Sequence, residues 1–156
     1  MISECSDLYR AHPDWVLRAP FRPTQIGRNQ YVLDLSRHDV IDYIFESLSA
    51  LLDSCNIVYM KWDMNRPLSE VFSLRERDES SFAAGRFDVW QAETAHRYTL
   101  GVYEILHRLI ERYPYLLLES CCSGGGRFDL GMLYYSPQIW TSDNTDCLTR
   151  MKIQYG

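Results

Sequence analysis

An α/β fold, with parallel strands and helices covering them, is the architecture this sequence predicts, and three observations predict it. Short apolar runs bounded by polar residues or proline alternate with longer segments whose apolar residues recur at helical spacing. The order reads strand, helix, strand, helix, strand, short helix, strand, helix. Such alternation pairs the strands in parallel, because a crossover helix returns the chain to the same edge of the sheet. Finally, the unusual polar groups gather at the carboxyl ends of strands, where ligands bind in this architecture: Lys61 and Asp63, Cys121 with its glycines, Ser142 with Asp143.

The first strand expected is Asp14-Trp15-Val16-Leu17-Arg18, bounded by His12-Pro13 and Ala19-Pro20. A loop with Pro23, Gly27, Arg28 and Asn29 follows, and then a short apolar run, Tyr31-Val32-Leu33-Asp34-Leu35. Ser36 with Asp39 resembles a capping box. Beyond it Val40, Ile41, Ile44, Phe45, Leu48, Leu51 and Leu52 fall on one helical face, with Asn56 as the stop. The strand Ile57–Asp63 begins at once. Its alternation puts Tyr59, Lys61 and Asp63 on one face and Val58, Met60 and Trp62 on the other. Asn65-Arg66-Pro67 stops it.

Residues 64–91 read as a long loop containing a charged run at 75–81. Loops of that length in compact domains are often functional. A second helix is expected over 92–113, burying Tyr98, Val102, Ile105, Leu106, Leu109 and Ile110. Gly101 inside it costs about 1 kcal/mol against alanine, which implies close packing on a neighbour. Pro114 ends the helix, and Tyr115–Cys121 has the pattern of a fully buried strand. Cys122-Ser123-Gly124-Gly125-Gly126 leads to a short helical segment, Gln138–Asp143 is a further strand, and 144–155 is helical.

Composition narrows the function. The chain has 156 residues, 46% hydrophobic and 24% charged, enough for one domain with a core. A net charge of −5, with no basic stripe, argues against a nucleic-acid partner. No apolar run approaches membrane-spanning length, and the amino terminus lacks the pattern of a secretory signal, so a cytoplasmic location is expected. The five cysteines have no paired spacing, and no histidine–carboxylate cluster has ligand spacing, so neither a metal nor another cofactor is expected. Four strands cannot close a barrel that needs eight, so the chain reads as part of a larger fold.

Asp63 and Asp143 end strands expected to be next-but-one neighbours. Paired carboxylates across a cleft are the machinery of glycoside hydrolysis, one attacking the anomeric carbon and the other serving as acid and then base. Alternatively both are strand-end aspartates that cap helices, as Asp143 could do. Lys61, on the face of Asp63, suits a nucleophile's need for an ionised carboxylate or a hydrogen bond to a sugar hydroxyl, and equally a structural ion pair. The Ser123–Gly126 stretch lets backbone approach a ligand, or is simply a flexible turn. It is not a phosphate loop, since no Gly-Lys-Ser/Thr follows.

Three motifs, in order, carry a resemblance: Lys61-Trp62-Asp63-Met64-Asn65-Arg66, Cys121-Cys122-Ser123-Gly124-Gly125-Gly126-Arg127-Phe128-Asp129, and Trp140-Thr141-Ser142-Asp143-Asn144-Thr145-Asp146. With Gly27–Asp34 and Leu148–Gly156 they resemble the α-galactosidases of glycoside hydrolase family 36 over nearly the whole chain. The resemblance implies a (β/α)8 barrel, of which 1–156 would supply roughly the third to sixth strands. It implies a retaining hydrolase that removes terminal α-galactose from sugars such as raffinose or melibiose, with Asp63 as nucleophile and Asp143 as acid/base. Lys61, Arg28 and Cys121 are implied as sugar-binding residues, with Trp62, Asn65, Ser123 and Gly124 beside them in the same motifs. A gap-free count back from Arg127 makes Cys121, not Cys122, the sugar-facing cysteine. The partner implied is a small α-galactoside, and the complete protein is expected to be a homo-oligomer. Two other readings remain: galactosyl transfer of the raffinose-oligosaccharide type, through the same covalent intermediate, and a non-catalytic fragment.

Overall fold

The computed structural model describes residues 1–19, 21–74 and 89–155, so the charged run at 75–81 lies outside the described residues. The chain divides into two compact units, Met1–Ser47 with Pro67–Ile105, and Leu48–Arg66 with Leu106–Gly156.

In the first unit, strand β1 (Ile2–Ser3) pairs antiparallel with β2 (Gln30–Tyr31). Between them, helix α1 (Asp7–Ala11) is capped by Ser6, whose side chain accepts from the Tyr9 N–H. The strand expected at Asp14–Arg18 does not form as such. Pro13, whose fixed φ suits a helical turn, starts a 3-10 turn over Pro13–Trp15. Val16 and Arg18 then make single antiparallel bridges to Leu33 and Phe72. Helix α2 (His38–Ser54) follows near its expected position, but the capping box does not form. The Ser36 hydroxyl donates instead to Asp34 Oδ1 at 2.6 Å, and Asp34 is fully buried.

Helix α3 (Val89–Arg112) begins before the expected start. Tyr98, Val102 and Ile105 are buried in the first unit, along with Val16, Leu17, Val40 and Ile41. Gly101 is there because nothing larger fits: a Cβ would overlap the backbone carbonyl of Leu35. That is the close packing its position implied.

The second unit holds a parallel, open, three-stranded sheet of β3 (Tyr59–Asp63), β4 (Leu117–Cys121) and β5 (Gln138–Ile139), in the order β3-β4-β5. Among the described residues it has three parallel strands, not four, because 14–18 bridges antiparallel elsewhere. The register sets Lys61 beside Glu119 and Asp63 beside Cys121. β5 is shorter than expected, though the Trp140 N–H continues the pairing by donating to the Ser120 carbonyl at 3.0 Å.

Leu52, Leu106, Leu109, Leu116, Leu118 and Met132 form the unit's core. Tyr113 fastens it by donating to the Ser49 carbonyl at 3.1 Å and to Asp53 at 2.8 Å. Leu51, expected on the buried face, is exposed, and Ser49 takes a buried place. Helix α4 (Leu130–Tyr135) is capped by Asp129, and α5 (Cys147–Tyr155) closes the described chain. Among the described residues no helix is long and apolar enough to cross a membrane.

Candidate active site

The site grows from the ends of β3 and β4, both in the second unit. β3 starts at Tyr59, and Val58, expected on the face of Met60 and Trp62, is exposed; from there the alternation holds, with Tyr59, Lys61 and Asp63 exposed and Met60 and Trp62 half-buried. Lys61 does not pair with Asp63. Its ammonium lies 3.8 Å from Glu119 Oε1 and 4.3 Å from the centre of the Trp140 ring. Register explains the choice, since Glu119 is the direct neighbour of Lys61 on β4 and its carboxylate is buried. A buried carboxylate needs a cation or donors to offset its lost hydration. Tyr59 supplies one, its hydroxyl donating to Glu119 Oε2.

Asp63 is held from its other side. Asn65 Nδ2 donates to Asp63 Oδ2 at 2.7 Å, while Asn65 Oδ1 accepts from the Ser123 N–H at 2.9 Å. One amide thus ties the carboxylate to the glycine turn. Arg127 locks the same region, its Nη2 donating to the Trp62 carbonyl at 3.0 Å and the Cys121 carbonyl at 2.6 Å. The turn is a built conformation and not a slack one. Ser123 and Gly124 both have positive φ, 49° and 85°, and a Cβ at Gly124 would sit 2.7 Å from the Thr141 carbonyl oxygen. Burial pushes the Cys121 thiol up from its ordinary 9.0. A backbone hydrogen bond from Gly124 opposes the rise, and the neighbouring Asp63 carboxylate adds to it. Cys121 therefore offers a neutral S–H at neutral pH.

Past β5, the Trp140 indole N–H donates to Asp143 Oδ1 at 2.6 Å. Arg150 lies against the same ring, 5.4 Å from its centre, and donates to the Ser142 carbonyl at 2.8 Å. Asp143 caps no helix. That task falls to Asp146, which accepts from the Thr149 N–H at 2.8 Å and whose carboxyl is thereby held below its ordinary value. β3 and β5 flank β4, so the strands leading to Asp63 and Asp143 are next-but-one neighbours, as expected.

Lys61, Asp63, Asn65, Cys121, Ser123 and Gly124 are thus gathered at one strand end. Strand alternation turns the Trp62 side chain to the opposite face, and the site uses its carbonyl instead. Arg28 belongs to the first unit, where it is exposed at a two-residue turn closed by paired Gly27–Gln30 hydrogen bonds of 3.1 Å. Both central residues have positive φ, 54° at Arg28 and 59° at Asn29. Glu119 and Trp140 were not anticipated as site residues. Glu119 was a charge inside an otherwise buried strand pattern, and that was the signal available.

A model of the melibiase family matches residues 1–156. The chain is 55% identical over its whole length to the α-galactosidase AgaA of Geobacillus stearothermophilus and 51% identical to Mel36A of Lactobacillus acidophilus. It covers 20% of each, so it spans about a fifth of the length of these curated relatives. The crystal structure of the Lactobacillus brevis α-galactosidase superposes on it with a TM-score of 0.87 at 49% identity, over 99% of this chain and 19% of that one. A variant of Geobacillus stearothermophilus AgaA in complex with raffinose superposes at 0.86 with 53% identity, over 99% and 20% respectively. The chain belongs to the melibiase family.

Proposed function

We propose that this chain carries the two catalytic carboxylates of a retaining α-galactosidase, as the middle of a (β/α)8 barrel at roughly its third to sixth strands. The substrate would be a terminal α-galactoside of the raffinose or melibiose kind. The observation that carries the reading is the strand order. Asp63 ends β3 and Asp143 follows β5, the two parallel strands flanking β4, and neither is engaged in capping a helix. The α-galactosidases that match the chain from end to end support the reaction class.

In this mechanism Asp63 attacks the anomeric carbon while Asp143 donates its proton to the departing glycosidic oxygen, leaving a galactosyl ester on Asp63. Asp143 then takes a proton from water, which attacks the same carbon and releases galactose with its configuration retained. The Asn65 amide donates to Asp63 Oδ2 and so fixes the orientation of the attacking carboxylate. Likewise Trp140 occupies Asp143 Oδ1, leaving Oδ2 to carry the proton. Lys61 would hold sugar hydroxyls.

The test is Asp63→Asn in the full-length enzyme, assayed on an aryl α-galactoside. Turnover should fall at least roughly 10⁴-fold, as for loss of a covalent nucleophile. Substantial residual activity rules out Asp63. The anomer first released, followed by NMR, should be α, with the carboxyl groups about 5–5.5 Å apart.

A further inference from the structure

We propose that Glu119 is the positioning residue for Lys61: through the register of β3 and β4 it holds the ammonium at the strand end where a galactoside would bind. The inference rests on the α-galactosidase reading and deepens it.

Lys61 and Glu119 are direct partners in the parallel ladder. Glu119 is 6% exposed, yet of its two carboxylate oxygens only Oε2 has a hydrogen bond, from Tyr59. Oε1 is buried with no hydrogen-bond donor among the described residues, and it faces Lys61 Nζ at 3.8 Å. A buried carboxylate oxygen without a donor is costly. It is a sensible arrangement where a cation must be attracted without being captured. At that distance the ammonium feels the charge while its own N–H groups stay available to a ligand.

The second restraint is the Trp140 face, 4.3 Å from Nζ on the β5 side. Lysine is a flexible stem with a mobile head, and an ammonium that must meet one sugar hydroxyl needs such fixing from more than one direction. Tyr59 fixes Glu119 in turn, since it lies on the same β3 face as Lys61. The chain of contacts is therefore Tyr59 to Glu119 to Lys61 to Trp140. A purely structural Glu119 would need its own charge neutralised, and nothing more. The difference lies in what happens when Lys61 is already gone.

The experiment is a double-mutant cycle in the full-length enzyme with Glu119→Gln, Lys61→Met and both together. Steady-state kinetics would be measured on an aryl α-galactoside and on raffinose. Glutamine keeps the volume and the acceptor for Tyr59 but removes the charge. The expected result is a fall in kcat/KM of roughly tenfold for Glu119→Gln, carried mainly by KM. In the Lys61→Met background the same change should alter kcat/KM less than about twofold. Glu119→Asp should restore part of the loss.

Additive effects in the cycle, or a loss that tracks melting temperature alone, overturn the proposal. Should Glu119→Gln fail to accumulate as folded protein, Tyr59→Phe carries the same cycle, since it frees the carboxylate without removing it. Its effect must also vanish when Lys61 is absent. A wild-type enzyme inactive on every α-galactoside would defeat the functional reading, whereas an active wild type with an additive cycle defeats this inference alone.

Discussion

The indole N–H of Trp140 donates to Oδ1 of Asp143 at 2.6 Å, while the face of the same ring lies against the Lys61 ammonium. One side chain thus orients the carboxylate proposed as the acid/base and borders the lysine proposed to bind the sugar. Trp140→Phe keeps an aromatic face and removes only the donor. Asp143 can then rotate, so its proton is less often aimed at the glycosidic oxygen. A good leaving group hardly needs that proton, and a sugar leaving group does. The expected outcome is a fall of roughly tenfold in kcat on raffinose with little change on an activated aryl α-galactoside. Parallel assays on the two substrates check it, and an equal loss on both would remove this role from Trp140.

Asn65 makes the corresponding contact at Asp63, the proposed nucleophile, and accepts from the Ser123 N–H with the same amide. Asn65→Asp keeps an acceptor for the Ser123 N–H but replaces the donor facing Asp63 with a second negative charge. Repulsion should turn Asp63 away from the reacting carbon. A loss of roughly 100-fold in kcat/KM is expected, the usual scale for removing one fixed donor at a reacting centre. Asn65→Ala, which removes the donor without adding a charge, should lose less. Kinetics on the aryl substrate rank the two.

These predictions turn on residues that were unequally legible in the sequence. The alternation of β3, the two long helices and the tight seat of Gly101 follow from local periodicity and from what glycine costs in a helix. Glu119 and Trp140 do not, because their meaning comes from pairing: only the β3–β4 register sets Glu119 beside Lys61. The same limit explains Val16 and Arg18. Their propensity is that of a strand, and long-range bridges to Leu33 and Phe72 decide that they join no parallel sheet. The cap of α5 was a matter of boundary. Asp143 and Asp146 both suit an N-cap, and the start of the helix at Cys147 selects Asp146.

Gly124 holds the turn against the backbone beyond β5. An alanine there meets two penalties at once, a positive φ of 85° and a Cβ 2.7 Å from the Thr141 carbonyl oxygen. Since that obstacle is backbone, it cannot rotate aside. Gly124→Ala should destabilise the full-length enzyme by about 2 kcal/mol or more and weaken galactose binding by moving the turn. Ser123→Gly should do the opposite to stability. It relieves a residue at φ 49° by about 1 kcal/mol while keeping the N–H that Asn65 accepts. Thermal melts of both variants, with and without galactose, separate the turn's strain from its binding role.

Cys121 illustrates what burial beside a carboxylate does to a thiol. Desolvation disfavours the thiolate and the Asp63 charge disfavours it further, so the group titrates above its ordinary 9.0. Below that value the thiolate, which is the form that reacts with alkylating agents, is scarcer at Cys121 than at an ordinary cysteine. The residue is also only 3% exposed. In the folded full-length enzyme at neutral pH, Cys121 should therefore resist iodoacetamide for hours. In denaturant it should react as fast as Cys5, Cys55 and Cys147, which are exposed in this chain. Peptide mass spectrometry after timed alkylation gives the rates. Asp63→Asn removes the charge but not the burial, so protection should fall only in part. Full loss of protection in that variant would mean that the carboxylate, and not burial, keeps the thiol neutral.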